Sequence, residues 1–199
     1  AFVENPSDSL TEWAGGKYDY GTVNLFGQYM VDRFSIDILQ KSMQSSVVGI
    51  ESLEAAFKSL GQGKNFSDVF GDWLVANFLN DCTVVPYDVY CYKNPNLTPR
   101  IIKIALSGVA QGEQVNIVPS VKPWSGNWYE FTTHELKPQK LQISFSSSDP
   151  NASFRIPYVL KRRGMPLEVH EFSLVNQKVD IQFENFGSGD RKRVANRYF

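Results

Sequence analysis

The chain has 199 residues, of which 42% are hydrophobic and 21% charged, and its formal net charge is -1. This composition is typical of a globular protein and excludes a disordered or fibrous chain. Because the charges are nearly balanced, we expect no nucleic-acid partner, and we interpret the basic cluster of Arg191, Lys192, Arg193 and Arg197 as a solvated strand. No apolar run approaches the roughly 18 residues that span a bilayer, so we expect no membrane-inserted segment.

The first part of the chain is predicted to be helical. Residues 1–12 are typical of a loop that enters a turn at Gly15 and Gly16. Between residues 21 and 34, Val23, Phe26 and Met30 recur at three- and four-residue spacing. This spacing predicts a helix with one broad apolar face.

Three shorter helices follow in the prediction. Ser35 can cap the first of them, and the apolar spacing of residues 50–60 predicts another that ends at Gly61. Asn65 or Ser67 can open the last helix, whose apolar and aromatic residues lie along one side. The resulting segment of about four helices can bury its own apolar faces.

The periodicity changes after residue 82 from helical spacing to two-residue alternation, and we place the domain boundary there, between residues 1–82 and 83–199. The second part is predicted to be an antiparallel β-sandwich of seven to nine strands. The segments that carry the alternation are 102–106, 141–145, 154–160 and 179–183. The sequence therefore predicts an α+β protein in two parts, a helical segment followed by a sandwich.

Local signals refine this prediction for the strands. Pro157 is expected to place its strand at a sheet edge or a bulge, because proline cannot donate a ladder hydrogen bond. Clusters of turn-forming residues at 125–127, 148–151 and 187–190 are expected to separate the strands.

The two cysteines, Cys82 and Cys91, bracket a short segment that is typical of an extended chain. A pair this close suits either a local disulfide in an exported protein or two reduced thiols in a cytosolic one. We expect the disulfide, which would pin the second part of the chain to the helices.

Most motifs of a complete catalytic site are missing from the sequence. It contains no H-E-x-x-H, no G-x-S-x-G, no Walker loop and no dinucleotide glycine fingerprint. His134 and His170, each near a glutamate, could form a two-histidine site if their strands meet, but a zinc site usually needs three or four ligands. We therefore expect ordinary histidines, and no metal or other cofactor in this chain.

The clearest functional signal lies in residues 15–21, Gly-Gly-Lys-Tyr-Asp-Tyr-Gly, which lead into the first helix. This stretch resembles the segment that follows the zinc site of gluzincin metallopeptidases, where aminopeptidase N-like enzymes carry Tyr-Glu-Lys-Gly before a helix. The likeness is closer to secreted bacterial peptidases of the hyicolysin kind, through the Tyr-x-Tyr-Gly of residues 18–21, the helix start at 49–51 and the aromatic-rich residues 66–74. It covers residues 15–80, and the β part is similar only in architecture to the sandwich that often follows such catalytic domains.

The resemblance implies that Tyr18 stabilises the oxyanion of the tetrahedral intermediate during peptide-bond hydrolysis. It also implies zinc, held by H-E-x-x-H and a later glutamate upstream of the tyrosine; this sequence has no such residues there, and neither Glu4 nor Glu12 is assigned as a ligand. From the residues alone, Tyr18 and Tyr20 can also be packing residues at a helix entrance. Four other aromatic residues are expected in the core because of their spacing: Trp13, Phe70, Trp73 and Phe78.

Two functions from different classes follow from these observations. In the first, the chain is the C-terminal portion of an exported bacterial zinc metallopeptidase, secreted or at the cell surface, and is inactive alone. Its partners would be an upstream zinc-bearing lobe and a protein or peptide substrate. In the second, the chain is a non-catalytic β-sandwich module that binds carbohydrate or protein through Trp124, Trp128 and Tyr129. An H-E-x-x-H segment encoded upstream would favour the first.

Overall fold

The computed structural model describes residues 1–97, 106–107, 114–118, 120–132, 139–162, 164–187 and 191–198, with the backbone alone for 106–107 and 191–198. The chain divides into two units, Ala1–Ile102 and Lys103–Phe199. The described helices lie in the first unit and the described strands in the second, which confirms the predicted α+β class. Within the described ranges, no helix has both the length and the apolar character needed to cross a bilayer.

The described residues of the first unit form a 3-10 turn and four helices, the number predicted. The turn is Phe2–Glu4, and the helices are α1 (Lys17–Phe34), α2 (Asp37–Met43), α3 (Ile50–Ser59) and α4 (Phe66–Leu79). Helix α4 is capped as the sequence predicts. Asn65 Oδ1 accepts a hydrogen bond from the backbone N–H of Asp68 at 2.8 Å, which satisfies a first-turn donor that has no partner within the helix.

Helix α1 begins earlier than predicted, at Lys17 rather than at Gly21. The backbone N–H of Gly16 donates a hydrogen bond to Asp19 Oδ2 at 2.7 Å. A carboxylate in the first turn stabilises the helix start, because it pairs a backbone donor there and complements the helix dipole. The Tyr-x-x-Gly motif of residues 18–21 therefore lies inside the helix and not ahead of it.

Aromatic side chains of α1 and α4 form the core of the first unit. Phe26 of α1 contacts three rings of α4, with centroid distances of 5.6 Å to Phe66, 6.5 Å to Phe70 and 5.3 Å to Trp73. Phe2 of the 3-10 turn also reaches Trp73, at 5.4 Å. Helices α1 and α4, which carry two of the stretches of the family resemblance, thus share one core.

Residues 83–97 follow the last helix but belong to the helical unit. The Cys82–Cys91 disulfide is formed, with Cα atoms 5.1 Å apart. Tyr29 Oη donates a hydrogen bond to the Val89 carbonyl at 2.9 Å, and burial raises the Tyr29 pKa well above its ordinary value. Because such contacts tie the segment to the helices, the two units divide after Ile102, whereas the change of periodicity at residue 82 marks only the end of the helices.

The second unit contains seven strands among its described residues. They are β1 (Leu106–Ser107), β2 (Ser125–Thr132), β3 (Gln139–Ser146), β4 (Phe154–Lys161), β5 (Glu168–Phe172), β6 (Lys178–Phe186) and β7 (Arg191–Tyr198). One sheet has the order β1-β2-β7-β4-β5, and β3 pairs with β6 in a second sheet. All neighbours are antiparallel except β1 and β2, which run parallel.

Apolar side chains from the two sheets meet in one cluster. Ile156 and Phe172 of the five-stranded sheet are buried, and Ile143, Ile181 and Phe183 of the two-stranded sheet pack against them. Burial alternates along β3 and β6 because side chains on only one face of that sheet reach the cluster. This arrangement agrees with antiparallel strands in two small sheets, and a complete sandwich stays a prediction.

Two predictions about the strands are wrong. Pro157 does not lie at a sheet edge, since β4 is flanked by β7 and β5. Strand β4 instead pairs with β7 at Arg155 and again from Tyr158, on either side of the proline, which has no N–H to donate. Residues 125–127 begin β2 and do not form a turn. The predicted strand at 102–106 and turn at 187–190 lie mostly outside the described residues.

Candidate functional site at the start of helix α1

Two glycines turn the chain into helix α1, as the sequence predicts. Gly15 has a φ of +77°, which L side chains rarely adopt, and Gly16 is the extended residue that precedes the helix. The turn places Tyr18 in the first helical turn. Because α1 packs against α4, the position of this turn is held by the core of the unit.

Tyr18, the predicted oxyanion residue, is half-buried. Its ring centroid lies 4.9 Å from Lys17 Nζ, within the range of a cation–π contact. On the helix, Tyr18 shares a side with Thr22 and Leu25, which are both buried. The ring therefore sits at the margin of the core without being enclosed by it.

Lys17 connects the start of α1 to the 3-10 turn. Its Nζ lies 2.6 Å from Glu4 Oε2, and both side chains are exposed. The hydrogen bond with Glu4 and the negative charge of that carboxylate raise the pKa of Lys17, and the same contact lowers the pKa of Glu4. Because both side chains are exposed, this pair adds little to stability.

An exposed aromatic pair lies on the solvent side of the same helix start. Trp13 and Tyr20 remain 57% and 63% exposed, and their rings meet edge to face at 4.9 Å. The prediction that Trp13 belongs to the core is wrong, because the residue precedes the helix and its ring stays largely in solvent, against the exposed ring of Tyr20. Phe70 and Trp73 are buried as predicted, and Phe78 is half-buried.

Gly21 has a different role from the one its motif suggests. It lies within α1, where a Cβ atom would come within 2.8 Å of the Phe2 nitrogen and 2.9 Å of Ala1 Cβ. The residue therefore allows the 3-10 turn to approach the helix closely. It does not turn the chain into the helix.

The residues around Tyr18 do not fit a zinc site. Both histidines of the chain, His134 and His170, lie outside the helical unit. Glu4 is engaged by Lys17, and Asp19 accepts the hydrogen bond that caps α1. Since catalytic zinc usually has three protein ligands with histidine prominent among them, the described residues around Tyr18 do not supply the ligand set that the resemblance implies.

The two-histidine site considered above stays a prediction. His170 lies on β5, exposed, and its Nε2 is 2.9 Å from Glu168 Oε2. His134 lies outside the described residues. The pair of His170 and Glu168 supplies two ligands at most, and a stable metal site needs more.

The disulfide lies beside a carboxylate that sequence analysis did not single out. One ligand atom from each of Cys82, Asp88 and Cys91 lies within 4.8 Å of the others. While the S–S bond is intact the sulfur atoms are not thiolates, which is the form that binds metals. Asp88 has a φ of +62°, and no simple sequence signal would have placed its side chain at the two sulfurs.

The aromatic residues expected to contact a ligand in the β part are largely buried. Trp128 is 3% exposed and Tyr129 is 8% exposed, and both lie on β2. Trp124, which precedes that strand, is half-buried. These rings belong mainly to the interior of the second unit.

No family model matches the chain, and no curated protein and no solved structure matches it significantly.

Proposed function

We propose that this chain is the C-terminal part of an exported zinc metallopeptidase, comprising the helical end of the catalytic domain and a β domain that follows it. In the intact enzyme, an upstream lobe carries the zinc and the residues that bind it. The present chain contributes Tyr18, and it is inactive by itself.

The observation that carries the proposal is the fixed position of Tyr18. Tyr18 is half-buried in the first turn of α1, and the backbone of that turn is held in place because the helix is anchored by Phe26 against the rings of α4. A tyrosine phenol is uncharged at neutral pH and donates one hydrogen bond. A donor held in place can stabilise the negative charge that develops on the carbonyl oxygen of a scissile peptide bond, without reorganising at the moment of reaction.

The packing of α1 against α4, the helices that carry two of the stretches similar to the peptidase family, is a second support. Residues 18–21 lie on α1 and residues 66–74 on α4, and the two helices share one aromatic core. A common core is expected if both stretches belong to one catalytic lobe. The disulfide between Cys82 and Cys91 is compatible with export to an oxidising compartment, where the partner of the enzyme would be a protein or peptide substrate.

The alternative, a carbohydrate- or protein-binding sandwich, has less support. It depended on exposed rings at Trp124, Trp128 and Tyr129, and two of these are buried. Exposed aromatic residues occur instead at Trp13 and Tyr20, in the helical unit.

The test is a pair of matched substitutions in the intact enzyme. Tyr18→Phe removes only the hydroxyl, and we expect kcat for peptide hydrolysis to fall by about 10²-fold with little change in KM, because the donor acts on the transition state. Tyr20→Phe is the control, since it removes an equivalent hydroxyl from the exposed ring two residues away. Equal and small effects of both substitutions would refute the role assigned to Tyr18.

A further inference from the structure

The disulfide of the helical unit belongs to a cluster of side chains of the types that bind metal. We propose that, when this disulfide is reduced, Cys82, Cys91 and Asp88 form a binding site for one zinc ion. The proposal is independent of the peptidase function, because it concerns residues that lie outside the resembling stretches.

The first argument is the distance between the ligand atoms. The two sulfur atoms and one carboxylate oxygen already lie within 4.8 Å of one another. Zinc binds thiolate sulfur at about 2.3 Å and carboxylate oxygen at about 2.0–2.2 Å, so tetrahedral ligands lie about 3.5–4 Å apart. The two sulfurs have to separate and the carboxylate has to adjust its distance to them, and rotation of these three side chains can achieve this once the S–S bond is broken.

The second argument is that hydrogen bonds hold the ligands together without the disulfide. The backbone N–H of Asp81 donates to the Tyr90 carbonyl at 2.9 Å, and that of Asp88 donates to the Cys82 carbonyl at 3.1 Å. The N–H of Tyr92 donates to Asn80 Oδ1 at 2.9 Å. These bonds join the two ends of the loop, so we expect the reduced chain to keep both thiols side by side.

The third argument concerns Asp88, whose present partner can be displaced. Lys93 Nζ lies 3.8 Å from Asp88 Oδ2, and both side chains are about half exposed. An exposed ion pair at this distance contributes little free energy. A zinc ion bound by two thiolates still has open coordination positions, and a bond of about 2.0–2.2 Å from the carboxylate to the metal would replace this weak pair.

Reduction of the disulfide and binding of zinc both balance in atoms and electrons. A dithiol reductant transfers two electrons and two protons to the Cys82–Cys91 bond and becomes a disulfide itself. Zinc then replaces the two thiol protons, which pass to solvent, and Asp88 binds as the carboxylate. In an exported protein the dithiol state precedes the disulfide, so bound zinc would delay oxidation of the new chain.

The experiment titrates the 199-residue chain with Co²⁺ as a spectroscopic probe and with Zn²⁺ as competitor, before and after reduction. We expect the reduced chain to bind one ion with a thiolate-to-cobalt charge-transfer band, and the oxidised chain to bind none. Asp88→Asn should weaken Zn²⁺ binding by about tenfold or more, since changes even to groups around a metal ligand have effects of that size. Asp81→Asn is the matched control, because it removes the same charge next to Cys82 but outside the cluster.

Three results would overturn the proposal. The first is a reduced chain that binds neither ion, whether its helical circular dichroism is kept or lost. The second is equal weakening by Asp88→Asn and Asp81→Asn, which would indicate a general charge effect. The third is binding to the oxidised chain with the same affinity as to the reduced one.

Discussion

At the scale of single residues, a buried polar chain links α4 to the segment that follows it. Trp73 Nε1 donates a hydrogen bond to Tyr92 Oη at 2.9 Å, and Tyr92 Oη donates in turn to Asn77 Oδ1. All three side chains are buried, so water cannot replace a missing partner. The Tyr92 hydroxyl is therefore expected to contribute more to stability than a surface hydroxyl does.

We expect Tyr92→Phe to lower the free energy of unfolding by about 1–3 kcal/mol, because it leaves the Trp73 indole N–H and the Asn77 oxygen without their bond in the interior. Tyr87→Phe is the control, since Tyr87 is 70% exposed and a surface change of this kind stays within about 0.5 kcal/mol. Urea unfolding followed by circular dichroism measures both. Equal stabilities of the two variants would mean that the network adds nothing.

Some residue roles could be predicted from sequence and others could not. Asn65 was one of two predicted starts of α4, beside Ser67, and such a cap is predictable because its side chain bonds a backbone N–H only three residues away. The cap at Asp19 is equally local, and an acidic residue three positions after Gly16 was a usable signal. The buried role of Tyr92 could not be predicted from sequence, because the partners of its hydroxyl lie 15 and 19 residues away and its own segment has a strand-like composition.

At the scale of elements, α1 contains two glycines with opposite surroundings. Gly21 faces the 3-10 turn, where a Cβ atom would meet the Phe2 nitrogen at 2.8 Å. Gly27 lies in the middle of the same helix, and a Cβ atom there would meet nothing within 4 Å. The first glycine is required by packing, whereas the second only lowers the intrinsic stability of the helix.

Gly27→Ala should therefore raise the free energy of unfolding by about 0.5–1 kcal/mol, the usual gain for replacing a helical glycine without a clash. Gly21→Ala should lower it, because backbone atoms of the 3-10 turn have to move away. Thermal unfolding of the two variants beside the unchanged chain measures the difference. If both variants gained stability equally, the close approach at Gly21 would be unimportant.

The elements that were predicted well are those with a clear period. The three- and four-residue spacing gave α1 and α4, and the alternation in residues 141–145 and 179–183 gave β3 and β6. The errors arose where long-range packing decides. Pro157 lies in an internal strand because β4 pairs with β7 at positions on either side of the proline. Residues 125–127 are extended because they pair with the last residues of β7.

At the scale of the whole molecule, the chain has two units with separate cores. The boundary after Ile102 could not be predicted from periodicity, because residues 83–97 are held to the helices by side-chain hydrogen bonds, such as that from Tyr29 to Val89, and not by a repeating pattern. The motif predicted Tyr18 ahead of the helix, whereas Tyr18 lies in the first turn of α1. The role of Tyr18 as an oxyanion donor stays a prediction that depends on a zinc-bearing lobe outside these residues.

The measurement that tests this account most directly is zinc content and peptide hydrolysis of the protein encoded by the complete reading frame, beside the oxidised 199-residue chain. We predict that the complete protein, after a chelator wash, holds one tightly bound zinc and cleaves peptides, and that the oxidised chain does neither, since its helical unit contains no histidine. A complete protein without zinc or hydrolytic activity would contradict the account, as would hydrolysis by the oxidised chain alone.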